Sequence, residues 1–128
     1  MDLLEELKKR LKSFMEISAD DEYLINYSLE KAKQSILNMT NQNMIPEGLN
    51  YVVIERAVGE FLAFKKGTGT LNIDNINLNA VVARITEGDI TVQEGTNPLS
   101  PEARLDYLVS SLLRYGESEI YKYRRLAW

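Results

Sequence analysis

The run Pro46-Glu47-Gly48-Leu49-Asn50-Tyr51-Val52-Val53-Ile54-Glu55-Arg56-Ala57-Val58-Gly59-Glu60-Phe61-Leu62-Ala63-Phe64-Lys65-Lys66 decides the fold. Its apolar residues, from Leu49 through Val52, Val53, Ile54, Ala57, Val58, Phe61 and Leu62 to Phe64, cover most of the girth of a helix. A helix of that kind belongs at the centre of a bundle. Pro46 suits the first helical position, where its fixed φ helps and its missing amide costs nothing. Gly59 is worth about 1 kcal/mol less than alanine in a helix interior. Its presence there predicts close approach by a neighbouring helix.

The residues before this helix supply two partners for it. Leu3, Leu7, Leu11 and Phe14 recur at spacings of four, four and three, which predicts an amphipathic helix over 2–15. Glu5 and Glu6 precede Lys8, Lys9, Arg10 and Lys12, an order that complements the helix dipole. Ile25, Leu29, Ala32, Ile36 and Met39 predict a second helix over 21–39, with Asp20 as its N-cap. Thr40-Asn41-Gln42-Asn43 ends it with side chains that compete for backbone hydrogen bonds.

Beyond Lys66 the pattern breaks at Gly67-Thr68-Gly69. The stretch 71–79 has four asparagines and no clear period, and reads as a loop, free or ordered by a partner. From Val81 the period becomes two. Ala83, Ile85, Ile90 and Val92 share one face, and Glu87-Gly88-Asp89 supplies a turn, so a β-hairpin is expected over 81–94. A lone hairpin is marginal in water and needs the bundle or another subunit beside it. Ser100-Pro101-Glu102-Ala103 is a well-formed helix start, and Leu105, Leu108, Val109, Leu112 and Leu113 make the stripe of a last helix that stops at Gly116. The expected fold class is mainly α, a small bundle of about four helices with one β-hairpin inserted before the last. The bundle would span 1–116, and 117–128 would be a C-terminal docking segment.

Composition removes most catalytic designs. With no cysteine and no histidine among 128 residues, disulfides, thiolate sites, histidine ligands and a Ser–His–Asp triad are all impossible. Fifteen basic and nineteen acidic residues give a net charge of −4, a poor footprint for duplex DNA. No apolar run is long enough for a bilayer, and the acidic opening Met1-Asp2-Leu3-Leu4-Glu5-Glu6 lacks a signal-peptide layout, so a cytoplasmic protein is expected. The Asn-x-Ser/Thr triplets at Asn26 and Asn38 are then chance matches.

The remaining motifs fail on inspection. Gly67-Thr68-Gly69 follows a helix and no Lys-Ser/Thr comes after it, so it is a helix end and not a phosphate loop. Asn75, Asn77 and Asn79 have calcium-loop spacing, but Ala80 and Thr86 stand where the loop needs glycine and glutamate. Asp20-Asp21-Glu22 is better explained by capping and dipole compensation than by metal binding. No catalytic, cofactor or metal residue is assigned, and no enzyme activity is expected.

The C-terminal residues are harder to dismiss. Tyr121, Tyr123 and Trp128 offer rigid contact area, and Arg124 and Arg125 offer forked donors, the residue types enriched at binding hot spots. Two readings stand side by side: docking on a partner, or packing of Ile120, Tyr123 and Leu126 onto the protein's own core. RNA stacking is weaker, because Glu117 and Glu119 offset the cations.

In the order of its elements the chain resembles the head–tail connector (adaptor) proteins of long-tailed phages, prophages and phage-tail-like elements. Leu3-Leu4-Glu5-Glu6-Leu7-Lys8-Lys9-Arg10-Leu11 is similar to that family's opening helix. Asp21-Glu22-Tyr23-Leu24 through Thr40-Asn41 is similar to its second helix, and Ile45-Pro46-Glu47-Gly48-Leu49 with Ala57 to its core helix. Ile85-Thr86-Glu87-Gly88-Asp89-Ile90-Thr91-Val92 resembles its hairpin, and 105–115 its last helix.

The resemblance implies a mechanical function: a homo-oligomeric ring, dodecameric in the family, beneath the portal protein. Such a ring extends the DNA channel toward a stopper or tail-completion protein. DNA would pass through without specific binding, and no cofactor or membrane is involved. Tyr121, Tyr123, Arg124, Arg125 and Trp128 would anchor the portal, and Ile85, Ile90 and Val92 would lie on an intersubunit arm. The place of action would be the host cytoplasm during assembly, then the neck of a virion or phage-tail-like particle. The alternatives are another neck or tail-completion component, richer in strand, or a helical module that binds one protein through its tail. Truncation at Glu117 is expected to abolish assembly and leave the helices intact.

Overall fold

The computed structural model describes residues 1–71, 76 and 100–125. Among these the protein is mainly helical, with α1 at Leu3–Lys12, α2 at Glu22–Thr40, α3 at Asn50–Gly67, α4 at Pro101–Leu113 and the short α5 at Glu117–Lys122. The expected hairpin at 81–94, with Ile85, Ile90 and Val92, lies outside the described residues. So do Trp128 and all of the loop at 71–79 except Leu71 and Ile76.

α3 is the central helix. It packs against α1, α2 and α4 and buries ten of its residues, from Val52 to Leu62. Gly59 has the role its sequence position predicts. A Cβ there would stand 2.9 Å from the Leu112 Cβ and 3.0 Å from the Leu113 amide nitrogen, so its bare backbone lets α4 lie against α3. α4 begins as expected, with the Ser100 hydroxyl accepting from the Ala103 amide at 3.2 Å and Pro101 in the first turn.

Three boundaries differ from the periodicity. The first helix is shorter than 2–15, starting after Asp2, whose carboxylate accepts from the amides of Leu4 and Glu5. It stops at Lys12, where the Ser13 hydroxyl turns back to donate to the Arg10 carbonyl. Pro46 does not open α3: its ψ of 139° is extended, and a 3₁₀ turn at Glu47–Leu49 comes first. Asp20 does not cap α2 either. A 3₁₀ turn at Ala19–Asp21 leads into that helix, and Asp21 turns its carboxylate back to accept from the Ser18 amide at 3.0 Å.

That carboxylate also receives the Lys65 ammonium from α3 at 2.9 Å, with both side chains largely buried. Burial alone would lift the Asp21 carboxyl. The bond from the Ser18 amide, the bond and charge of Lys65, and the Ser18 hydroxyl outweigh burial and hold it below the ordinary 3.8. Across the core, Arg10 of α1 grips Glu55 of α3 with two donors, at 2.9 and 3.4 Å, on a glutamate side chain only 2% exposed. The forked geometry satisfies both carboxylate oxygens, which a buried pair requires. Lys8 to Glu22 and Lys66 to Asp106 add exposed ties, of small energetic weight.

Candidate docking surface

The C-terminal segment is built onto the end of α2. Its entry is the turn at Gly116, whose φ of +68° is a left-handed conformation that glycine adopts without penalty. A Cβ at Gly116 would also stand 2.6 Å from a methyl of Val52. One residue earlier, the Tyr115 carbonyl accepts from the Arg56 Nε at 2.8 Å, and an Arg56 terminal nitrogen lies 3.7 Å from the Met39 sulfur. Burial lowers the Arg56 pKa below the ordinary guanidinium value, partly offset by the charges of Glu117, Tyr121 and Glu60. A guanidinium keeps its charge under such a shift.

α5 then lies along α2 and drives Ile120 into the core at 0% exposure. α2 ends with Asn41 in the left-handed region at φ 54°, which turns its last groups toward the segment. The Thr40 carbonyl accepts from the Arg125 amide at 2.7 Å, Gln42 Nε2 donates to the Tyr123 carbonyl at 2.5 Å, and Asn41 Nδ2 donates to the Arg125 carbonyl at 3.4 Å. Helix-end groups and loop groups therefore satisfy each other.

The candidate site residues separate accordingly. Tyr123 is half-buried with its hydroxyl over Gly48, where any side chain would displace it. Tyr121, Arg124 and Arg125 are exposed, as is Lys122, so these four make the outward face. Ile120 and Tyr123 pack onto the bundle, as the self-packing reading expects of them, while Leu126 lies outside the described residues; the other side of the segment faces out. Truncation at Glu117 would consequently strip a core residue as well as the outward face.

A second outward surface had no signal in the sequence pattern. Tyr23 and Tyr27 of α2 stack with centroids 6.4 Å apart, and Phe64 of α3 lies 6.3 Å from Tyr27. Tyr23 is 79% exposed and Phe64 50%. Beside them Lys31 and Glu60 pair at 3.0 Å, and the bond and charge of Glu60 raise the Lys31 pKa above its ordinary 10.5. The apolar girth of α3 includes Phe64 in the sequence pattern, but the residue lies on that helix's solvent side, near its end. Among the described residues no acidic cluster could hold a metal ion, and no helix is long and apolar enough to cross a membrane. In comparisons with family models, curated proteins and solved structures, the chain has no match at any of the three levels.

Proposed function

We propose that this protein is a structural subunit of a phage or phage-tail-like particle: a head–tail connector that forms a ring beneath a portal protein and carries the DNA channel on to a stopper or tail-completion protein. The observation that carries the reading is the outward face of the C-terminal segment. Its backbone is fixed to α2 through Thr40, Asn41 and Gln42, so Tyr121, Arg124 and Arg125 stand out at little further ordering cost. With Tyr123 and Trp128 they are the proposed anchor, and Ile85, Ile90 and Val92 the proposed intersubunit arm. In such a ring DNA passes without being held, in keeping with the net charge of −4. Assembly takes place in the host cytoplasm and the finished ring sits in the particle neck.

The test is an affinity pull-down from particle-producing cells, read by mass spectrometry, with the wild-type chain and with Tyr121→Ser/Trp128→Ser as baits. The wild type is expected to bring down a portal-like protein and neck components, and the double variant to lose them. If neither bait enriches a particle protein, the connector reading is wrong.

A further inference from the structure

The apolar stripe of α4 does not end where the helix ends. Leu105, Val109 and Leu112, spaced four and three, are followed at four, four and three by Gly116, Ile120 and Tyr123. All of them except the glycine are in the core or packed against it. The spacing is that of one helix with a single apolar face, running from Pro101 past Lys122. What interrupts it is a turn at 114–116, in which Gly116 alone is left-handed, at φ +68°. Returned to the helical region, Gly116 would join α4 and α5 into one rod about 33 Å long at 1.5 Å per residue.

Such a rod takes α5 off its own α2. α4 runs antiparallel to α3: Lys66 pairs with Asp106, Gly59 meets Leu112, and Val52 lies against Gly116. α3 begins at Asn50, two residues before Val52. In the rod Ile120 would stand about 6 Å beyond Gly116, past the start of α3. The seat it leaves belongs to α2 and the chain just after it. Thr40, Asn41 and Gln42 bind the backbone of Tyr123 and Arg125, and Gly48 lies under the Tyr123 hydroxyl. Each of these seat groups lies outside α4 and α5, so the seat is complementary, contact for contact, to the α5 of any copy.

We infer that α4 and α5 straighten at Gly116, and that α5 of one copy takes the seat on α2 of a second copy. Given and received by the same two copies, the segment makes a dimer; passed from each copy to the next, it closes into a ring or runs on as a filament. Exchange keeps the contacts of the seat and alters the turn. In the closed form Arg56 holds the Tyr115 carbonyl at 2.8 Å; in a straight helix that carbonyl receives the Glu119 amide instead. Arg56 is thus the latch of the closed form. Tyr121, Arg124 and Arg125 face outward on the same platform in both forms, so exchange adds a contact between copies without displacing the proposed anchor. The inference goes beyond the connector reading and stands or falls apart from it.

The chain has no cysteine, so single introduced thiols can mark the seat and the segment. Full-length Asn43→Cys and Arg125→Cys proteins, both altered at exposed positions, are unfolded together in urea, refolded at high concentration and treated with a short bismaleimide. A mixed covalent dimer is expected. It should exceed that from the same mixture made with Tyr23→Cys, which marks the far end of α2, about 25 Å from Thr40. A chain carrying both Asn43→Cys and Arg125→Cys reports the closed form as a link within itself. Adding Gly116→Ala is expected to raise the share of mixed dimer. Alanine disfavours the left-handed turn and favours the helix, and in the turn its methyl would stand 2.6 Å from a methyl of Val52. A mixture that gives no more mixed dimer than the Tyr23→Cys control overturns the proposal, whether or not Gly116→Ala folds. So does a folded Gly116→Ala protein whose mixed dimer is no more abundant than without the substitution. The pull-down turns on particle proteins and not on self-association, so either idea can fail alone.

Discussion

Arg56 of α3 donates to the carbonyl oxygen of Tyr115 at 2.8 Å, tying the central helix to the turn from which the outward-facing segment starts. Arg56 is buried at 7% exposure, and the carbonyl lies in the turn just after α4. Replacing Arg56 by methionine removes the donor and keeps much of the volume. The expected cost is about 1.5–3 kcal/mol, the range for a hydrogen bond to a charged group, read as a lower urea midpoint with unchanged slope.

The Arg10–Glu55 pair makes a sharper test, because its members are coupled. Glu55→Ala leaves the largely buried Arg10 guanidinium without its carboxylate and is expected to cost about 3–5 kcal/mol. Arg10→Met/Glu55→Met removes both charges and should be clearly less damaging than Glu55→Ala. Equal losses in the two proteins, measured by denaturant unfolding, would show that the pair is not coupled.

Gly59→Ala sets helix propensity against packing. Alanine favours an exposed helix interior by about 1 kcal/mol. Here the added methyl meets the Leu112 Cβ and the Leu113 backbone at about 3 Å, and backbone cannot step aside as a flexible side chain can. A net loss of about 1–3 kcal/mol is expected, so thermal unfolding of the variant should begin lower. A gain in stability would mean that α4 is less firmly seated than its contacts with Gly59 imply.

Low pH should weaken the tie between Asp21 and Lys65. The folded-state pKa of Asp21 lies below 3.8, so ionised Asp21 stabilises the fold fully above that value. The contribution disappears as pH falls from there through the lower folded-state value. Asp21→Asn is expected to be less stable at neutral pH and to show a flatter stability profile below pH 3.8, as read by unfolding at several pH values.

Ending the chain after Gly116 should cost more than its surface. Ile120 is fully buried, and removing a core side chain of its size costs about 2–5 kcal/mol. The truncated protein is expected to unfold at lower denaturant, whereas Arg124→Glu/Arg125→Glu should unfold as the wild type does. Point variants therefore separate docking from folding, and truncation does not.

What the sequence made legible was local. Ser100-Pro101 announced α4 because a cap and a first-turn proline act within one turn of chain. Gly59 announced a close approach because a glycine in so apolar a helix has few other uses. The start of α2 is legible to within a residue but its cap is not, because Asp21 is turned by Ser18 and Lys65 and no period in 20–39 encodes a lysine at position 65; α3 starts later than Pro46 suggests because a 3₁₀ turn comes first. The C-terminal segment could be picked out by residue type, but which of its sides faces inward depends on Thr40, Gln42 and Gly48, far away in sequence. The aromatic face went unseen for the opposite reason. Tyrosines on a helix with a good apolar stripe read as ordinary surface, and only the placement of Phe64 on α3 gathers them into a patch.

The central position of α3 also orders the way the protein opens. α1, α2 and α4 each lean on α3, whereas α5 leans on α2. α5 can therefore detach and its amides exchange with solvent while the rest holds. α3 has no such private route, since freeing its amides dismantles every other long helix described. Protons on Val53, Ala57 and Val58 should thus be the last to be replaced by deuterium, through rare events that open the whole molecule.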